Sequence, residues 1–178
     1  MGAAPITTTR AGRRHDRRQG PAAKRLGLLL VACVLLTATV ACEWSADTRY
    51  VHPVFDTVQV TSNVTYRTTT DYLGNPITLR LDIYRPQGDT ATNRPAIMWM
   101  HGGSWVSGNK SNMAGIATDS AKRGYVGVSI QYRLRNALSD SAAYDAYDDS
   151  VAAVEWLKAN ATTYGIDPTA IIAGGYSA

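Results

Sequence analysis

Three short, almost unbroken apolar runs constrain the fold of this chain most: Ala96-Ile97-Met98-Trp99-Met100, Tyr125-Val126-Gly127-Val128-Ser129-Ile130 and Ala170-Ile171-Ile172-Ala173. A strand with one wet face alternates apolar and polar residues, so unbroken runs of this length belong to strands covered on both faces. The stretches between them have helical length and helical punctuation. From about Ser111 to Arg123, Met113, Ile116 and Ala117 share a face, and Gly124 stands where a C-terminal cap is expected. From about Ser141 to Tyr164, the positions Tyr144, Tyr147, Val151, Val154 and Leu157 or Lys158 trace the helical stripe, which Gly165 and Asp167-Pro168 close. Strand and helix alternating through short links imply parallel crossovers and an α/β sheet.

Upstream the pattern differs. Val58 and Val60, then Val64 and Tyr66, alternate with polar neighbours, as do Ile77, Leu79, Leu81 and Ile83 with Thr78, Arg80 and Asp82. Period two marks half-buried strands, and Leu73-Gly74-Asn75-Pro76 supplies the turn between them. The expected architecture is an antiparallel hairpin leading into a mostly parallel sheet flanked by helices, over residues 57–178. Residues 43–56 show no clear periodicity and are expected to form a tether or lead-in.

The sequence has a formal charge of +4, but the charge is unevenly spread. Residues 1–42 hold seven of the eighteen Lys and Arg and one acid, Asp16, so the remainder is slightly acidic. That removes the support for a nucleic-acid partner. The positive stretch precedes the uncharged run Leu26 to Ala41, and small residues then lead to Cys42. This order is that of a secretory signal, so residues 1–42 are expected to direct export. Thr39-Val40-Ala41-Cys42 resembles the lipobox of bacterial lipoproteins, which makes Cys42 the candidate lipidation site and a lipid on it the candidate membrane attachment. With Cys33 in the leader and Cys42 at its end, no cysteine pair remains in the body, and no thiolate metal site or disulfide framework is expected there.

Two motifs carry chemistry, each following one of the buried runs. His101-Gly102-Gly103-Ser104-Trp105 follows the strand ending at Met100. Backbone N–H groups reach the oxyanion of a tetrahedral intermediate only where side chains leave the approach open, and paired glycines do so. Gly174-Gly175-Tyr176-Ser177-Ala178 begins a G-x-S-x-G turn, in which a sharp bend from strand to helix exposes the serine. The final glycine of that pattern would be residue 179.

Further strings fix the resemblance: Leu81-Asp82-Ile83-Tyr84-Arg85-Pro86, Pro95 to Trp105, Tyr132-Arg133-Leu134, Asp148-Asp149 before Val154-Glu155-Trp156-Leu157, and Tyr164-Gly165-Ile166-Asp167-Pro168. Over roughly residues 57–178 the chain resembles the esterase and lipase branch of the α/β-hydrolases, with its hormone-sensitive-lipase-like and carboxylesterase-like enzymes. The resemblance implies that Ser177 is the nucleophile and that the N–H groups of Gly102, Gly103 and Ala178 form the oxyanion hole. Ser104 replaces the third glycine of the commoner HGGG form. It implies acyl transfer from a small-molecule carboxylic ester without metal or organic cofactor.

In that family the order is serine, acid, histidine, whereas His15, His52 and His101 all precede Ser177. His101 is therefore read as a loop organiser and His52 as an exposed lead-in residue. Asp145, Asp148 and Asp149 are read as structural, Asp149 as a partner for Arg133, and Tyr132-Arg133 as a strand-end support. The acid and the base are expected beyond Ala178, so residues 57–178 read as the N-terminal portion of the domain and this chain alone as inactive. The competing expectations are an exported lipoprotein that uses the scaffold only for binding, and a serine peptidase of the same fold.

Overall fold

The computed structural model of the protein describes residues 48–177; the leader, Cys42 and Ala178 lie outside the described residues. Two long antiparallel strands come first, β1 (Val58–Thr70) and β2 (Pro76–Pro86), joined by the expected turn. Next come β3 (Arg94–Met100), a 3₁₀ turn (Lys110–Met113) running into α1 (Ala114–Lys122), and β4 (Val126–Ile130). The second helical region is α2 (Asp140–Ala159) with the short turn α3 (Ala161–Tyr164), and β5 (Ile166–Gly175) ends the described chain.

The five strands form one sheet in the order β1-β2-β4-β3-β5. β2 pairs with β4 antiparallel, while β3 pairs in parallel with β4 on one side and with β5 on the other. The chain therefore crosses from β3 through α1 to β4, then through α2 to the far side of β3.

Alternation along the strands sorts side chains between the two faces. Leu79, Leu81, Ile83, Ala96, Met98, Val126, Val128 and Ile130 are buried with Ala153 and Leu157 of α2. Tyr84 packs with Ala117 and Ala121 of α1 and with Trp99. Trp99 also donates its indole N–H to Ser120 Oγ at 3.0 Å, tying β3 to α1. A β-carbon on Gly127 would lie 2.2 Å from the Ala117 carbonyl oxygen, so this glycine lets α1 lie directly on β4.

Two expectations need correction. The buried stripe of α2 is Ala142, Ala146, Asp149, Ala153 and Leu157, whereas Tyr144, Tyr147 and Val151 are exposed. Small residues let the helix approach the sheet closely, and the larger ones are turned aside. The run Ala170–Ala173 forms a strand, but it lies at the sheet edge with Ile172 half exposed, because β5 pairs only with β3 among the described residues.

The end of the lead-in is docked on the domain. Tyr50 N–H donates to Arg123 O at 2.8 Å, and the N–H groups of Val54 and Phe55 donate to Lys122 O at 2.8 and 3.0 Å. Arg49 reaches Asp89, which also accepts from Arg94 Nε at 2.7 Å. Burial works to raise the Asp89 carboxyl, but the two guanidiniums and the Ala91 N–H outweigh it and hold the group well below the usual carboxylate range.

Candidate active site

β3 and β5 run side by side and parallel, so the glycine loop after Met100 and the turn after Gly175 emerge at the same sheet end. Ligands of open α/β sheets bind beyond the carboxyl ends of the strands. The two motifs touch there. A β-carbon on Gly102 would lie 2.3 Å from the Tyr176 carbonyl oxygen and 3.0 Å from Ser177 Cβ, so only glycine fits the approach. Tyr176 N–H donates back to Met100 O at 3.3 Å. Ser177 is exposed and has φ of 53°, the left-handed region that non-glycine residues seldom occupy and that strained turns at functional sites do.

The glycine loop is held from several sides. His101 is 2% exposed and its ring stacks on Tyr132, with centroids 4.2 Å apart and planes at 14°. The Tyr132 hydroxyl donates to the His101 carbonyl oxygen. His101 Nδ1 lies 2.8 Å from Gly102 O, and because a carbonyl oxygen only accepts, Nδ1 carries the proton. The Gly103 carbonyl accepts from Val106 and Ser107 N–H at 3.0 and 3.1 Å, and Trp105 O accepts from Arg135 N–H at 3.1 Å. Ser104 and Trp105 take φ of 53° and 58°, so the turn continues in the left-handed region beyond the glycines.

Burial lowers the His101 imidazole below its ordinary value, and the bond to Gly102 O offsets only part of that. Burial likewise pushes the Tyr132 hydroxyl up to about 12, so it stays a neutral donor. His101 gives its Nδ1 proton to its own loop, whereas the histidine of a triad gives that proton to a carboxylate. His52 lies in the docked lead-in and is exposed.

Behind Tyr132 lies a network of ion pairs. Asp149, fully buried on α2, accepts from Arg133 N–H at 2.8 Å, Arg133 Nε at 2.9 Å and Arg67 Nη1 at 2.9 Å. The bond to Asp149, foremost among its carboxylate neighbours, raises the Arg133 guanidinium. Asp148 accepts from Arg67 and Arg133 at 2.8 and 2.7 Å, and the bond to Arg67 leads in holding its carboxyl low. Asp145 pairs with Arg135 at 2.7 Å. The Arg133 pairing is visible in the sequence; Arg67, from a distant strand, is not.

The serine turn borders a groove of about 720 Å³ walled by Met98, Met100, Trp105, Ala146, Tyr147 and Val151. Sequence reasoning misses this groove because it assigns Tyr147 and Val151 to the packed stripe of α2. The small residues Ala142, Ala146 and Ala153, also at helical spacing, are the signal that places the stripe correctly. Of the residues expected to form the site, the structure brings Gly102 to Ser177, sets Gly103 next in the same loop against Ser107, and leaves Ala178 outside the described residues.

A mixed sheet with helices on both faces and a glycine loop meeting a serine turn at one strand end defines an α/β-hydrolase fold, in its N-terminal part. The solved structures agree. The esterase 2 of Thermogutta terrifontis phosphorylated by paraoxon matches with TM-score 0.55 and 28% identity over 68% of this chain and 44% of its own. The butyrate-bound form of that enzyme gives 0.54 and 27% over 69% and 41%. A family model described as BD-FAE matches residues 81–178, more than half of the sequence, and the chain belongs to that family. Among curated proteins, rat (Rattus norvegicus) carboxylesterase 1C is 35% identical over 107 residues, 56% of this chain and 19% of the relative. Phenmedipham hydrolase of Pseudarthrobacter oxydans is 33% identical over 106 residues, 56% of this chain and 21% of the relative. The chain thus spans about a fifth of the length of these relatives.

Proposed function

We propose that the protein carrying this domain is a carboxylic ester hydrolase in which Ser177 forms an acyl-enzyme. The observation that carries the reading is the close approach of Gly102 to the strained turn at Ser177. In that geometry Ser177 Oγ attacks the ester carbonyl, the oxyanion forms beside the N–H groups of Gly102, Gly103 and Ala178, the alcohol leaves, and water releases the acid. The likeness to esterases and carboxylesterases supports the substrate class. The adjoining apolar groove suits the non-polar part of such an ester.

A serine hydroxyl needs a base, and the base needs an acid to orient it. Neither described histidine is placed for the task, since His52 lies in the lead-in and His101 is committed to the glycine loop. Catalysis therefore draws its histidine from outside the described residues, and a polypeptide of residues 48–178 alone is inactive.

The test uses the full-length gene product and a fluorophosphonate probe, with p-nitrophenyl butyrate as ester. Labelling and hydrolysis that both vanish in Ser177→Ala are expected. A wild-type protein that is folded yet neither labelled nor active overturns the reading in favour of a binding scaffold, and peptide cleavage exceeding esterolysis moves it to the peptidases.

We further propose export, with lipid carried on Cys42, on the strength of the charged and apolar leader. Metabolic labelling with an alkyne-tagged palmitate in a bacterial host should mark the wild type and not Cys42→Ala. Equal labelling of both excludes Cys42 as the anchor.

A further inference from the structure

In a trans peptide the carbonyl and the following N–H point in opposite directions, so whatever holds one aims the other. The His101 carbonyl belongs to the same peptide as the Gly102 N–H, and it is held by the Tyr132 hydroxyl. The Gly102 carbonyl, held by His101 Nδ1, likewise aims the Gly103 N–H. The two donors that the glycine loop would supply are thus oriented from behind, by Tyr132 and by the ring stacked on it. Tyr132 is itself 3% exposed, and the next residue, Arg133, is clamped through its backbone N–H and its guanidinium to Asp149. Asp149 has no exposure to water and also binds Arg67. A carboxylate so enclosed fixes the segment that follows β4 at Arg133, and with it the position of the tyrosine hydroxyl.

We propose that Tyr132 is a positioning residue of the esterase site: its hydroxyl on the His101 carbonyl, anchored through Arg133 to buried Asp149, sets the direction of the Gly102 N–H. This inference rests on the reading of Ser177 as nucleophile. Tyr132 touches no reacting atom; it acts through the His101–Gly102 peptide. Tyr132→Phe keeps the ring that stacks on His101 and removes only the hydroxyl. Asp149→Asn keeps an acceptor for the Arg133 N–H and removes the charge.

The experiment measures kcat, KM and inhibition by a trifluoromethyl ketone, whose adduct with the serine carries the oxyanion, in the full-length enzyme. Loss of a whole oxyanion donor costs about a hundred- to a thousandfold in turnover, so a misaimed one should cost roughly ten- to a hundredfold. Tyr132→Phe is expected to lower kcat by that factor with KM little changed, and to weaken the ketone in proportion to the fall in kcat/KM. Binding of the product alcohol, which carries no oxyanion, should stay as in the wild type. Asp149→Asn should act in the same direction, and the double variant should be no worse than the more severe single one, because both act through one element.

A Tyr132→Phe enzyme with wild-type kcat overturns the proposal, as does a kcat loss without weaker ketone binding or an additive double variant. If Tyr132→Phe does not fold, Asp149→Asn and the ketone decide alone. Hydrolysis that survives Ser177→Ala would instead remove the esterase site itself, so the two failures are told apart.

Discussion

Because a β-carbon at Gly102 would lie 2.3 Å from the Tyr176 carbonyl, this position brings the loop and the serine turn together. The neighbouring His101 keeps the loop in shape by being buried and neutral, and that has a consequence for stability. Its folded pKa lies below the ordinary 6.5 because burial disfavours the imidazolium. At pH values between the folded and unfolded pKa, the unfolded chain binds a proton that the folded chain refuses. Stability therefore rises with pH in that window, is fully present above about 6.5, and is lost as pH falls through it. Urea unfolding of the full-length protein should show a lower midpoint at about pH 5.5 than at about pH 7.5. In His101→Gln that difference should shrink. An unchanged difference would mean that the drop comes from other groups.

At the scale of elements, the hairpin and the α/β alternation were legible because each strand announces its exposure. Period two in Ile77, Leu79, Leu81 and Ile83 marks β2, and the unbroken run Ala96 to Met100 marks β3. The two glycine-bearing turns stood out because each follows one of the apolar runs, and the parallel pairing of β3 with β5 delivers both to one sheet end. The facing of α2 was not. Tyr144, Tyr147 and Val151 look like a buried stripe by hydrophobicity alone, yet a helix lying close on a sheet selects for small size, and Ala142, Ala146 and Ala153 occupy the interface. Of the charged partners of Asp149 on that helix, Arg133 was legible and Arg67 was not. Asp149 is buried because Arg67 and Arg133 converge on it from two other segments, a contact between residues 82 positions apart in the first case. Local periodicity carries no information about such a partner. A buried carboxylate of this kind is tolerable only with its bonds made, which is why losing one partner would leave an uncompensated charge.

For the molecule as a whole, the same groove and edge that accompany the serine turn govern how residues 48–178 behave alone. β5 offers unpaired backbone groups along one side among the described residues, and its exposed face carries Ile172, 52% accessible. Beside it lie the groove of about 720 Å³ and Tyr176, 75% accessible. An apolar open edge is a template for pairing with another chain, and nature blunts such edges with inward or outward charge, lysine above all. A polypeptide of residues 48–178 is accordingly expected to associate at micromolar concentration, as read by light scattering, and to show no esterolysis. Ile172→Lys should shift it toward monomer, because the charge would be desolvated in any strand pairing or apolar contact made along β5. Leu138→Lys serves as the control, since Leu138 is 64% exposed but lies in the loop before α2, away from the edge. If both lysines disperse the protein equally, general surface charge explains the effect. If neither does, the edge is not the contact that joins the chains.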